Sequence, residues 1–138
     1  MPFPDAAAAE AAFYAAFREL DITRMKTVWL DSTDASCIHP GAGLLQGTDA
    51  IMASWAAIFE SSQVPQVKHR LIQASTDHDL AVHTVEENVS SGSGEHRARI
   101  LATNVYARGD GGWRMLAHHA SLPLVEPRKE PPEPTSLH

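Results

Sequence analysis

Apolar residues in the first half of the chain recur at helical spacing. After Pro4, Asp5 is placed to cap a helix in which Ala9, Phe13, Ala16, Phe17 and Leu20 share one face. Asp21 can cap a second, shorter helix with Ile22, Met25, Val28 and Trp29 as its stripe. Ala35, Cys37 and His39 then alternate with Ser36 and Ile38, the period of a short strand, and Leu44-Leu45-Gln46 returns from the turn that follows. Gly47-Thr48-Asp49 opens a third helix, with Thr48 as cap and Asp49 near the positive end of the helix dipole. Its apolar stripe is Ile51, Met52, Trp55, Ile58 and Phe59.

The second half changes period. Segments 67–75, 80–89, 97–108 and 113–124 are rich in Val, Ile, Thr and Leu and are separated by turn-forming stretches at 76–79, 90–95 and 109–112. Consecutive strands joined by short turns predict an antiparallel meander. Helices first and strands later make the chain α+β, with the helices covering one face of the sheet. From Glu126 onward Pro and charge dominate, which predicts one domain over 1–125 and an extended tail over 126–138.

Composition narrows the function classes. The net charge of −6 and the scattered Arg and Lys residues argue against a nucleic-acid or anionic-membrane partner, both of which need a concentrated basic face. The single cysteine, Cys37, allows no intramolecular disulfide and fits a reducing cytoplasm. The first residues lack the pattern of a secretory leader, and no segment approaches the roughly 20 apolar residues that span a bilayer.

The chemistry-bearing residues are few. Pro40 biases His39 toward extended backbone, and Gly41 and Gly43 let the chain reverse, so His39 is expected on a stiff strand end. There it is either a general base or a histidine that packs the turn and bonds backbone across the hairpin. Cys37 shares its strand face, but same-face neighbours stand about 7 Å apart, so Cys37 reads as core filler rather than as a nucleophile paired with His39. Glu86 and Glu87 point to opposite faces, as do His118 and His119, so neither pair can act jointly at one point. No close-spaced ligand motif announces a metal, and no metal is expected.

Cys37-Ile-His-Pro-Gly41, Gly47 with Ile51 and Trp55, Ala81-Val-His-Thr-Val-Glu86, and Thr103-Asn-Val-Tyr106 leading through Gly112-Trp113 to His118-His-Ala-Ser121 carry a resemblance. Over residues 5–124 the chain resembles the SnoaL-like domain proteins of the nuclear-transport-factor-2-like superfamily and, more distantly, ketosteroid isomerase. The resemblance implies three N-terminal helices in the concave face of a strongly curved mixed or antiparallel sheet, a cystatin-like cone. It implies a pocket for a small apolar organic molecule and a homodimer through the outer sheet face. It implies no organic cofactor, and either proton transfer next to a carbonyl, of isomerase, cyclase or dehydratase type, or a non-catalytic binding or dimerisation module.

In the isomerase relatives a carboxylate shuttles the proton, while a tyrosine and a protonated aspartate hold the enolate oxygen. By resemblance His39 falls at the carboxylate, Asn104 at the aspartate, and Phe13, not Tyr14, at the tyrosine. Glu86 is the carboxyl expected to enter the pocket together with Val82 and Thr84; its alternative is a surface pairing with Arg97 or Arg99. The pocket wall is assigned to Phe13, Phe17, Trp29, Trp55, Phe59 and Trp113. Tyr106 is a further donor if it shares Asn104's inward face, and His119 points inward if it continues the alternation of Trp113, Met115 and Ala117.

Overall fold

The structure, a computed structural model, describes residues 3–61, 66–90 and 97–122. The tail expected over 126–138 and most of the turn expected at 90–95 lie outside the described residues.

Helix α1 runs Ala6–Glu19 and α2 runs Ile22–Val28. Each is capped by the aspartate before it: the Asp5 carboxylate accepts from the Ala8 amide at 2.7 Å and Asp21 accepts from the Arg24 amide at 3.0 Å. A cap of this kind contributes about 1 kcal/mol. Leu20 ends α1 in the left-handed region (φ 53°), where its amide returns to the Ala16 and Phe17 carbonyls and turns the chain straight into α2.

Strands β1 (Ser36–Ile38) and β2 (Leu44–Gln46) form a hairpin, followed by α3 (Thr48–Ser61). At the tip of the hairpin the Ala42 amide bonds the His39 carbonyl at 2.9 Å with Gly41 at φ 76°. A turn with Pro at its second position and positive φ at its third is what this tetrapeptide dictates. Thr48 was expected as the cap of α3 but is its first residue. Its hydroxyl lies 2.7 and 3.0 Å from the Leu30 and Ser32 carbonyls and accepts from the Ser32 amide at 2.9 Å, so it ties down the loop after α2.

The meander follows as β3 (Gln66–Thr76), β4 (Leu80–Ser90), β5 (Arg97–Gly109) and β6 (Gly112–Ala120), so the last strand ends earlier than 124. One six-stranded sheet results, in the order β2-β1-β6-β5-β4-β3. It is mixed, because β1 runs parallel to β6 while every other pair is antiparallel. The three helices lie on one face of this sheet, and the core between them holds Phe13, Tyr14, Met25, Trp29, Ile51, Trp55, Tyr106 and Met115. The expected α+β arrangement is therefore the one observed.

Two irregularities re-aim side chains. Leu71 pairs with Val85 but Gln73 with Thr84, and Val105 pairs with Ala117 but Tyr106 with Met115. Ile72 and Leu116 are thus extra residues, and beyond each the inside–outside alternation of its strand is shifted by one.

Candidate functional site: a buried polar network

Helix α1 supplies the first part of the site. Tyr14 lies among the alanines and phenylalanines of the buried stripe with no exposed surface. Its hydroxyl donates to Glu87 Oε2 on β4 at 2.6 Å and accepts from Asn104 Nδ2 on β5 at 3.0 Å. The other end of Asn104, Oδ1, stands 2.6 Å from His118 Nδ1 on β6. With the Asn104 amide nitrogen committed to Tyr14, Oδ1 accepts and His118 Nδ1–H donates. Four strictly placed groups therefore form one directed chain, His118 to Asn104 to Tyr14 to Glu87. The remaining lone pair of His118, on Nε2, stands 4.0 Å from Glu87 Oε2.

Burial sets the protonation states. The Glu87 carboxyl is pushed up to about 7, mainly because burial disfavours its charge, with repulsion from Glu10 adding to this and the Tyr14 bond opposing it. Burial pushes His118 down to about 3, helped by His39 and His119, so its imidazole is neutral. Burial together with Glu87 holds the Tyr14 hydroxyl well above the usual phenol range, so it stays a donor. At neutral pH the group then offers a carboxyl poised to gain or lose a proton, a neutral imidazole lone pair and a fixed hydroxyl.

An aromatic wall surrounds this chain. Trp55 packs edge-on against Phe13, Phe17 and His39 and tilted against Phe59 and His118, with ring centroids 4.8–6.1 Å apart. Trp29 and Trp113 are buried in the same core. The indole N–H groups of Trp55 and Trp29 are buried with no hydrogen-bond partner among the described residues. His69 on β3 stacks on the Tyr14 ring at 4.2 Å and lies beside Arg18 Nη1 at 3.4 Å, so burial and the guanidinium push its pKa below the usual histidine range.

The residues expected from sequence divide between this site and other places. Asn104 and Tyr106 do share the inward face, as do Phe13, Trp29, Trp55 and Trp113, with Phe17 partly buried beside them. Glu86 does not. On β4 it is Ala81, His83, Val85 and Glu87 that point to the helices, while Val82, Thr84 and Glu86 face outward. Glu86 lies 3.6 Å from Arg70 and 3.9 Å from Arg99, the surface arrangement that was its alternative. His119 is corrected likewise. Trp113 and Met115 point inward as expected, but the bulge at Leu116 hands the next inward position to His118. His119 stays exposed, with Nε2 3.0 Å from Ser36 Oγ.

Phe13 is buried as expected, and it is its neighbour Tyr14 that brings a hydroxyl into the core, bonded to Glu87. His39 follows the end of β1, half-buried, with Nε2 2.9 Å from Ser54 Oγ. Ser54 donates its own proton to the Ile51 carbonyl at 2.6 Å, so the imidazole N–H is the donor to Ser54. Burial lowers the His39 pKa. Cys37 Sγ approaches His39 Nε2 to 3.7 Å, closer than strand spacing alone predicts, yet burial pushes the thiol up to about 12 and the imidazole serves Ser54.

Sequence reasoning missed Glu87 and His118 because their strand neighbours Glu86 and His119 were assigned the inward face, Tyr14 because Phe13 was placed at the tyrosine, and Glu10 because it was read as part of the polar face of the first helix. Helical spacing already carried a signal: Glu10, Tyr14 and Phe17 fall at i, i+4 and i+7 on the face of Phe13. Among the described residues, no three His, Cys, Asp or Glu side chains are grouped to hold a metal ion, and no helix is long and apolar enough to cross a membrane.

Comparison with known proteins gives a consistent outcome. The SnoaL-like domain model matches residues 7–125. A candidate calcium/calmodulin-dependent protein kinase type II association domain from Thiobacillus denitrificans is 37% identical, covers 91% of this chain and 99% of its own, and superposes with a TM-score of 0.85. A candidate dehydratase of the NTF2-like family from Streptomyces avermitilis is 32% identical, with 87% and 94% covered and a TM-score of 0.79. Among curated proteins, the F-box protein SKIP8 of Arabidopsis thaliana is 26% identical over 114 residues, 83% of this chain; the chain spans 48% of that relative's length.

Proposed function

Because this chain belongs to the SnoaL-like domain family of the NTF2-like superfamily, we propose that it binds a small, largely apolar organic compound and moves a proton next to its carbonyl. The reaction type is that of an isomerase, cyclase or dehydratase. The observation that carries this reading is the Glu87 carboxyl: buried, pushed up to about 7, and held by the Tyr14 hydroxyl at 2.6 Å. A carboxyl whose pKa lies at the working pH can both take a proton from carbon and return it. The Tyr14 proton is committed to Glu87, so the donor toward a developing oxyanion is the second N–H of Asn104 Nδ2, with Tyr106 on the same face. The Trp55 indole N–H is a further donor for a ligand oxygen within an apolar wall. His39, edge-on to Trp55 at 4.8 Å, is the second base in this reading.

Such proton transfer needs side chains alone, so no organic cofactor or metal is invoked. The outer sheet face, with Leu80, Val82 and Leu101 exposed, is the surface assigned to a homodimer. The cytoplasm is the proposed compartment, on the strength of the lone cysteine.

The test is deuterium exchange at the α-carbons of ring ketones such as 1-indanone, followed by proton NMR in heavy water. Wild-type protein is expected to speed exchange, and Glu87→Gln to lose about 100-fold of that gain. Exchange that is unaffected by Glu87→Gln removes Glu87 from the chemistry. A second reading, a non-catalytic binding or dimerisation module, is favoured by one fact: Tyr14, Glu87, Asn104 and His118 already bond one another with almost no exposed surface. Wild-type protein that exchanges no ketone supports that reading.

A further inference from the structure

Two buried polar groups in this core are built alike and differ in one distance. In the first, Glu10 Oε2 is met by the Tyr106 hydroxyl at 2.7 Å and by His83 Nδ1 at 2.9 Å. In the second, Glu87 Oε2 is met by the Tyr14 hydroxyl at 2.6 Å, but its histidine, His118, stands off at 4.0 Å. Each pairs one carboxyl with one tyrosine and one imidazole across α1 and the sheet. The first group is closed and the second is open.

The opening is one of chemistry as well as distance. His118 commits its Nδ1–H to Asn104 Oδ1 at 2.6 Å, so what it offers at Nε2 is a lone pair. Glu87 offers carboxyl oxygens. Two acceptors thus stand 4.0 Å apart, and among the described residues no donor bridges them. The unpaired Trp55 indole N–H bonds neither. Buried acceptors left in this way are rare, and a buried carboxylate without a cation is costlier still. Among the described residues, Glu10, Glu87, His83 and His118 are buried in this core, and no lysine or arginine joins them.

What fits between two acceptors at this separation is one atom that donates twice, since a nitrogen about 2.9 Å from each closes a triangle on that base. An alcohol has one proton to give. A protonated amine has two or three, and it brings the missing positive charge. Phe13 and Trp55 flank the His118 ring with centroids 4.9 and 6.1 Å away, and aromatic faces attract a cation. We propose that the gap between Glu87 and His118 is a subsite for an organic ammonium group, a primary or secondary amine carried on a small aromatic or apolar body. The inference goes beyond the ketone reading and does not rest on it. An ammonium seated here holds Glu87 as a carboxylate, so such a ligand competes with a ketone for the same site.

The experiment compares benzylamine, benzyl alcohol and toluene as ligands of the full chain by tryptophan fluorescence at neutral pH, where an alkylamine carries its proton. Benzylamine is expected to bind saturably and at least ~10-fold more tightly than either neutral compound, the margin of a charge-assisted bond over a neutral one. Glu87→Gln keeps the acceptor for Tyr14 and removes the charge. It is expected to lose ~10-fold or more in benzylamine affinity and to hold benzyl alcohol within ~3-fold. Equal affinities for amine and alcohol, or no saturable amine binding, overturns the proposal. So does an amine affinity that survives Glu87→Gln, which would place the amine on the outer carboxylates of this acidic chain.

If Glu87→Gln does not fold, the nitrogen-15 signal of His118 Nε2 in wild-type protein decides. An unprotonated imidazole nitrogen that gains a donor shifts upfield, so saturating benzylamine must move this signal and toluene must not. A signal that stays in place, or that toluene moves equally, overturns the proposal. Amine binding in a protein that exchanges no ketone leaves the subsite standing and removes the catalytic reading. Glu87-dependent ketone exchange without amine binding does the reverse.

Discussion

The Tyr14 hydroxyl and the Glu87 carboxylate meet 2.6 Å apart across the interface between α1 and β4, 73 residues apart in sequence. Helix and sheet each contribute a polar atom to a buried contact. The two groups define one another: burial and the neighbouring carboxyl keep the hydroxyl protonated, and the carboxyl is ionisable near neutrality because the hydroxyl partly offsets its burial.

Tyr14→Phe removes the donor to Glu87 and the acceptor for Asn104 while keeping the ring stacked on His69. Two buried polar atoms lose a partner, which costs about 1–3 kcal/mol. Because the Tyr14 bond lowers the Glu87 pKa, its loss is expected to move the Glu87 midpoint above about 7. Urea denaturation measures the first effect and a carboxyl titration the second; a midpoint that falls instead would contradict the bond as drawn.

Stability should depend on pH through two opposed groups. Glu87 is raised from 4.5 to about 7, so it binds a proton more tightly in the folded protein. Its contribution, on the order of 3 kcal/mol, is fully present below about pH 4.5 and is lost as pH rises toward 7. His118 is lowered from 6.5 to about 3, so its contribution is present above 6.5 and is lost as pH falls toward 3. Between about 4.5 and 6.5 the two slopes oppose each other. Glu87→Gln should therefore leave a stability that rises with pH across that window, and His118→Gln one that falls across it. Denaturation midpoints measured at half-unit steps decide this, and parallel profiles for the two variants would rule it out.

The fold was legible in the sequence because helices and strands announce themselves by period, and each aspartate cap stood where its helix starts. The face of a strand was harder to read. On β4 both alternating sets mix apolar and polar residues: Val82, Thr84 and Glu86 look no less buriable than His83, Val85 and Glu87. What decided between them was satisfaction of charge, since Glu87 and His83 meet tyrosines and Glu10 from other elements, while Glu86 meets arginines. On β6 the pattern read correctly through Met115 and failed at Leu116, where one extra residue shifts every side chain after it. Asn104 was found through the family resemblance, and Tyr106 because strand alternation puts it on the face of Asn104.

Cys37 provides a test that needs no titration. Its thiol has no exposed surface and burial pushes it up to about 12, so almost none is thiolate at pH 8. Iodoacetamide should leave the native protein unmodified over hours and label it promptly in denaturing urea, read by intact mass. Rapid labelling of the native protein would show that the 3.7 Å contact with His39 activates the sulfur after all.

The bond between Asn104 and His118 can be converted from neutral to charge-assisted without moving an atom. Asn104 Oδ1 now accepts from a neutral imidazole at 2.6 Å, and the imidazole is held down to about 3 by a burial that no anion compensates. Asn104→Asp puts a carboxylate on that acceptor and takes the Nδ2 donor from Tyr14. The His118 pKa should rise by at least about 2 units, the usual effect of an adjacent opposite charge. The second negative charge near Glu87 should at the same time raise the Glu87 midpoint. Following the His118 ring protons against pH tests both the bond and its direction. If His118 still fails to titrate above pH 4 in the folded variant, its Nδ1 does not face residue 104 and the directed chain from His118 to Glu87 is broken at its first link.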